Sequence, residues 1–187
     1  MTRSRLFLLA GSLAGGALIA ITAASPATAD VRTQDAKPFL QAATPEAAGE
    51  YLMTVASCHD CHTTGWGLKK GNVPKDDQLT GNAVGYYGPW GTTYGKNLRQ
   101  VADRHTEDEW VDIIRTADHG QGNLPMPWHD ASKFSDQDLR ALYKYAKSLG
   151  PKPVRLPRNT KPGIKPTTGF YIDLTVRDST GKERATP

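Results

Sequence analysis

The sequence predicts a mainly α fold, with a few short helices wrapped around something other than their own side chains. Three observations point there. Three segments carry helix signals, a long glycine-rich connection separates the first two, and the apolar stripes are thin for the chain's length. The 187 residues suffice for one ordinary domain, and 38% hydrophobic with 22% charged residues suits a packed chain rather than a disordered one. Eighteen glycines and 13 prolines mark much of it as loop. Three short helices leave apolar burial marginal as a source of stability. Something else is expected to fill the middle.

The first 29 residues have the layout of a secretory signal. Arg3 and Arg5 form a positive start, Leu6 to Ala23 is apolar or small, and Ala27-Thr28-Ala29 is an A-x-A cleavage site. Removing them lowers the formal charge from +4 to +2. The basic-patch argument for nucleic acid loses its main support. No second segment reads as membrane-spanning, so no stable membrane insertion is expected after cleavage, and the chain is placed in the periplasm.

Residues 30–43 have no clean period and read as a leader. A first helix is expected from Thr44, as N-cap, with Pro45 at its first position, to about Ser57. From Thr63 to His105 no periodic pattern appears, and a connection this long usually wraps something or carries function. A second helix opens on the capping box Thr106-x-x-Glu109, carries Trp110, Ile113, Ile114 and Ala117 on one face, and stops at Gly120 and Gly122. A third opens at Ser135-x-x-Asp138, carries Leu139, Leu142, Tyr143 and Ala146, and closes at Gly150-Pro151. The domain proper is thus expected over 44–150.

Residues 151–187 differ in kind. They hold a net charge of +5 against −3 for residues 30–150, and five prolines before residue 167. Within this arm, Phe170 to Val176 alternates apolar and polar residues as a strand would, with no obvious partner strand. It is expected to pair with its own following residues, to lie across the body, or to add to another protein's sheet edge.

The chemistry sits in Cys58-His59-Asp60-Cys61-His62, which fits C-x-x-C-H, the c-type haem attachment motif. Two thiols three residues apart can add to the two vinyl groups of one porphyrin, and the adjacent imidazole reaches the iron. Rivals are weaker. A thioredoxin-type pair expects a βαβ context, a zinc site needs further ligands, and a disulfide across two residues would be strained. The expected cofactor is one covalent haem c, held by Cys58 and Cys61, with iron bound by His62. His59, a variable position inside the motif, is expected at the surface.

The motif Cys58–His62, the loop Gly88-Pro-Trp-Gly-Thr-Thr-Tyr-Gly-Lys-Asn97, and Leu124-Pro-Met-Pro-Trp128 before the third helix carry a resemblance. From about Pro45 to Leu149 the chain resembles monohaem class I cytochromes c, particularly the cytochrome domains that serve periplasmic alcohol-type dehydrogenases. The resemblance implies the class I cytochrome c fold, three or more helices around one haem, with an irregular proline-rich arm outside it. It also implies Met126 as second axial ligand. Met53, in the first helix, reads as a packing residue instead, and His129 is the competing ligand. Pro89 matches the proline whose carbonyl accepts the proximal imidazole N–H. Trp90, Tyr94 and Asn97 become haem-packing or propionate partners, or simply members of the loop core.

These readings make the chain an exported carrier of single electrons, and not an enzyme in its own right. Its partners would be redox proteins, such as a periplasmic dehydrogenase and a terminal acceptor. Two rivals stand beside this reading: a haem subunit docked permanently in a dehydrogenase complex, and a haem enzyme or sensor with an open sixth site.

Overall fold

A computed structural model of the chain describes residues 42–116 and 125–183. The signal 1–29, nearly all of the leader, Ala117, His119, the stops Gly120 and Gly122, and Leu124 lie outside the described residues.

The helix signals translate directly. Helix α1 spans Pro45–Val55, and the Thr44 hydroxyl accepts the Ala47 N–H at 3.1 Å. Pro45 sits where its missing N–H costs nothing. Ala56 ends the helix, and Ser57 turns through a left-handed conformation (φ 58°) into the single turn α2, Cys58–His62. Helix α3 spans Leu98–Arg104, capped by Asn97, and α4 spans Glu107–Thr116. The α4 capping box closes both ways: Thr106 N–H donates to Glu109 at 2.7 Å, and Glu109 N–H donates to the Thr106 hydroxyl at 3.2 Å. The short α5 covers Trp128–Ala131, and α6 runs Asp136–Ser148 from its Ser135 cap.

The core is helical. Helices α1 and α6 make the most extensive contact, with α3 and α4 also against α6. Close approach requires Gly49, because a Cβ there would collide with the Ala141 carbonyl. Met53 (1% exposed) and Leu139 (0%) fill the seam, so the packing reading of Met53 fits where it lies.

The mainly α expectation covers only part of the molecule, because a three-stranded sheet stands beside the helices in the order β2-β1-β3. Strands β1 (Val84–Gly88) and β2 (Gly91–Tyr94) form an antiparallel hairpin turned by Pro89 and Trp90. Strand β3, Phe170–Asp173, joins the free side of β1 in parallel. Of the routes open to the Phe170–Val176 pattern, lying across the body is the one taken. The hairpin escapes a periodicity reading for physical reasons. Two of the five β1 residues are glycine, and all four β2 residues are buried, so neither shows alternation.

The arm is strapped down by polar contacts. Arg99, itself buried, donates to the carbonyls of Asp76, Leu149 and Gly150, gathering the end of α6. Further on, Asn97 donates to the Lys152 carbonyl (2.8 Å), Tyr94 N–H to the Asn159 side chain (3.2 Å), and Thr160 N–H to the Thr92 carbonyl (2.9 Å). Among the described residues, no helix is long and apolar enough to cross a membrane.

Candidate functional site

Cys58, Cys61 and His62 stand at i, i+3 and i+4 of one helical turn, which places them on one face of α2. His59 and Asp60 point elsewhere. That division is the local reason the motif can present two sulfurs and one imidazole together.

His62 is buried and its orientation is fixed. Its Nδ1 lies 2.7 Å from the Lys96 carbonyl oxygen. A carbonyl only accepts, so Nδ1 carries the proton and Nε2 keeps the lone pair. Burial pushes the imidazole below its ordinary pKa, favouring the neutral form a metal needs. The accepting carbonyl is therefore that of Lys96 and not of Pro89. Pro89 is exposed at the hairpin tip, whereas β2 brings the following residues back across α2. The return is tight: a Cβ on Gly95 would collide with the Cys61 carbonyl. Gly81 N–H donates to the His62 carbonyl at 2.9 Å, clasping α2 from the other side.

Both cysteines are free thiols, partly buried. Burial pushes the Cys58 thiol up to about 11, the reverse of the lowered pKa that makes a dithiol redox motif reactive. The Cys61 thiol donates to the Tyr86 hydroxyl at 3.4 Å. Tyr86, from β1, is thus the aromatic that reaches the Cys61 thiol, a residue the sequence reading missed. Its only sequence signal was membership of the Tyr86-Tyr87 pair in the glycine-rich loop. Its hydroxyl is pushed well above the ordinary phenol range by burial and by the Cys61 contact.

The other expected residues are placed as follows. The Trp90 indole N–H donates to the Tyr86 carbonyl at 3.2 Å and its ring lies over Gly88. Tyr94 is buried against Gly85, its hydroxyl raised by burial. Asn97 uses its carbonyl oxygen to cap α3 (Gln100 N–H, 3.0 Å) and its amide to hold the arm. Met126 is partly buried just before α5, and its carbonyl accepts the Trp128 N–H at 2.8 Å.

His59 departs from expectation: it is buried (1% exposed). Its ring stacks on Trp66 at 3.9 Å between centroids and 13° between planes, with Nδ1 2.8 Å from the Thr63 hydroxyl. That hydroxyl already accepts the Leu79 N–H at 2.9 Å. Its own proton therefore goes best to Nδ1, leaving Nε2–H buried without a partner. Burial pushes the imidazole down to about 4.

The donor set fits a covalently held haem. Two free thiols and one neutral imidazole share a helix face, and the imidazole is oriented by a backbone carbonyl.

Comparison with known proteins gives one similarity of note. The chain is 26% identical over 166 residues to the fructose dehydrogenase cytochrome subunit of Gluconobacter japonicus. The match takes in 81% of this chain and 30% of that protein, so the chain spans under a third of the relative's length. No family model matches the chain, and no solved structure matches it. The likeness is distant, and that relative is by name the cytochrome subunit of a dehydrogenase.

Proposed function

We propose that the chain is an exported c-type cytochrome that passes single electrons between redox proteins in the periplasm. Cys58 and Cys61 hold one haem through thioether bonds, and His62 binds its iron through Nε2. Met126 is proposed as the second axial ligand. The group supplies a reversible one-electron couple, whose potential a methionine ligand raises. The chain's residues do the rest. The Lys96 carbonyl holds the His62 proton and ring orientation, while Gly95 and Gly81 let two segments of backbone close on α2. The observation that carries the reading is the His62–Lys96 bond, with both cysteines on the same face.

Optical spectra of the purified protein, oxidised and reduced, with and without carbon monoxide, test it. A far-red sulfur-to-iron band and no response to carbon monoxide are expected, with Met126→Ala abolishing the band. A wild-type protein that binds carbon monoxide would replace the carrier by a haem enzyme or sensor. Cys58→Ala with Cys61→Ala should leave no haem on a denaturing gel.

The likeness to a dehydrogenase's cytochrome subunit supports a dehydrogenase as electron donor and favours a docked subunit as second reading. Arg155, Arg158 and Lys161 offer a place for docking. They recur every third residue along an extended proline-rich run, are exposed, and have no ion-pair partner among the described residues. Replacing all three by Gln should flatten the salt dependence of reduction by the dehydrogenase. An unchanged salt dependence sinks that docking face.

A further inference from the structure

Strand β3 is a sheet edge left unpaired among the described residues. Leu174 N–H donates to the Tyr87 carbonyl at 2.8 Å, so the backbone groups of Phe170, Ile172 and Leu174 face β1. Those of Tyr171 and Asp173 face outward. Among the described residues nothing pairs with them, whereas the far edge of the sheet is covered by Asn159 and Thr160. Protective devices are scarce on this edge. Thr167 to Val176 holds no proline and one charge, Asp173, and Lys165 and Arg177 lie 3.2 and 3.8 Å from that carboxylate. The flank of the strand is apolar and in water: Phe170 is 79% exposed, Ile172 48%, and Leu174 and Val176 are exposed too.

The order of side chains says what fits. Phe170-Tyr171-Ile172-Asp173-Leu174 is a palindrome of apolar and polar positions about Ile172. An antiparallel copy centred there sets Ile172 opposite Ile172, Phe170 opposite Leu174, and Tyr171 opposite Asp173. Tyr171 and Asp173 are the residues whose backbone groups face outward, so they form the hydrogen-bonded pairs of the new ladder. Every apolar residue meets an apolar one, and no two like charges stand opposite. Centring on Asp173 instead would leave Asp173 opposite Asp173, and centring on Tyr171 would set Leu174 opposite Thr168.

We propose that two copies of this chain join through β3, edge to edge across a two-fold axis at Ile172, into one six-stranded sheet. The interface is isologous and short, so the dimer forms in proportion to concentration. It is independent of the haem reading, since no residue of the attachment motif takes part.

Sedimentation velocity of the purified haem-loaded chain over a range of concentrations tests it. The mass should rise towards that of two chains. Ile172→Lys, at an exposed position, puts two ammonium groups face to face and should leave one-chain mass throughout. Leu68→Lys, on the exposed Leu68 of the body, should leave the dimer intact. Ile172→Cys gives a direct geometric reading. Non-hydrogen-bonded antiparallel partners lie about 4.5 Å apart between Cα atoms, within disulfide reach. Mild oxidation should therefore link its two chains, but not those of wild type or Phe170→Cys. A monomer at every concentration with no Ile172→Cys link overturns the proposal. So does a dimer indifferent to Ile172→Lys. A monomer in which Ile172→Lys alters the haem spectrum also overturns it, and gives the apolar flank to the cofactor.

Discussion

The helical body and the C-terminal arm are built on opposite principles. The body is held by burial: α1, α4 and α6 close on Met53, Trp110 and Leu139 with little exposed apolar surface at the seam. The arm buries almost nothing. Its apolar residues Val154, Ile164, Phe170 and Ile172 remain exposed, and it is held by polar contacts: the β3 ladder to β1, the ion pairs of Lys152 with Asp76 and Asp77, and single anchors to Thr92, Tyr94 and Asn97. The first kind of structure fails cooperatively when its core is damaged. The second should fail locally, one strap at a time.

Leu139→Ala breaks the comparison on the side of the body and carries the largest effect. Removing a fully buried side chain from the α1–α6 seam should cost about 2–5 kcal/mol. Denaturant unfolding should show this with the slope unchanged, and with the haem band lost in the same transition. A loss under about 1 kcal/mol would mean that the seam relaxes and burial is not what holds the body.

Next comes acid. His59 sits at about 4 when folded against an ordinary 6.5. Between those values the unfolded chain binds a proton that the folded chain refuses, so stability falls as pH drops through that window and levels off below it. A gap of that size corresponds to roughly 3 kcal/mol. His59→Phe keeps a ring for Trp66 and removes the titrating nitrogen, so its melting temperature should stay flat where the wild type's declines. An equal decline in the variant would assign the acid sensitivity to other groups.

His59 also marks where sequence reading stopped. The helix caps were legible because capping chemistry is local: Thr44, the Thr106–Glu109 box and Ser135 each act within three residues. The C-x-x-C-H spacing was legible as a pattern, and its three ends share one face because they fall within a single turn, α2. What was not legible depends on distant segments meeting. His59 is buried because Trp66 folds back over it, and nothing in the identity of a variable position announces that. Lys96 supplies a backbone carbonyl, a group every residue has, so only the path of β2 could single it out over Pro89. The partner of β3 was hidden for the same reason, since a glycine-rich β1 shows no alternation to match.

Arg99 belongs to both regions and sharpens the line between them. Its guanidinium holds the carbonyls of Leu149 and Gly150, where α6 ends and the arm begins, and the carbonyl of Asp76 in the body. Arg99→Met keeps the stem and removes the donors, and should cost about 2 kcal/mol, the scale of a lost charge-assisted hydrogen bond. Hydrogen exchange should rise in the last turn of α6 and in residues 151–160 together. A rise confined to one of them would separate the arm's root from the helix end.

The smallest change tests the arm alone. Asn159→Ala removes the side-chain oxygen that meets the Tyr94 N–H at the outer edge of β2. One neutral hydrogen bond of this kind is worth about 1 kcal/mol, and water can replace the lost acceptor. The melting temperature of the body should barely move, while amides of residues 158–161 and of Tyr94 exchange faster. If instead the whole molecule loses stability in step with the arm, the straps are coupled to the core. The arm would then be a structural part of the helical body, and the contrast between burial and anchoring would describe how the two regions are held but not how they fail.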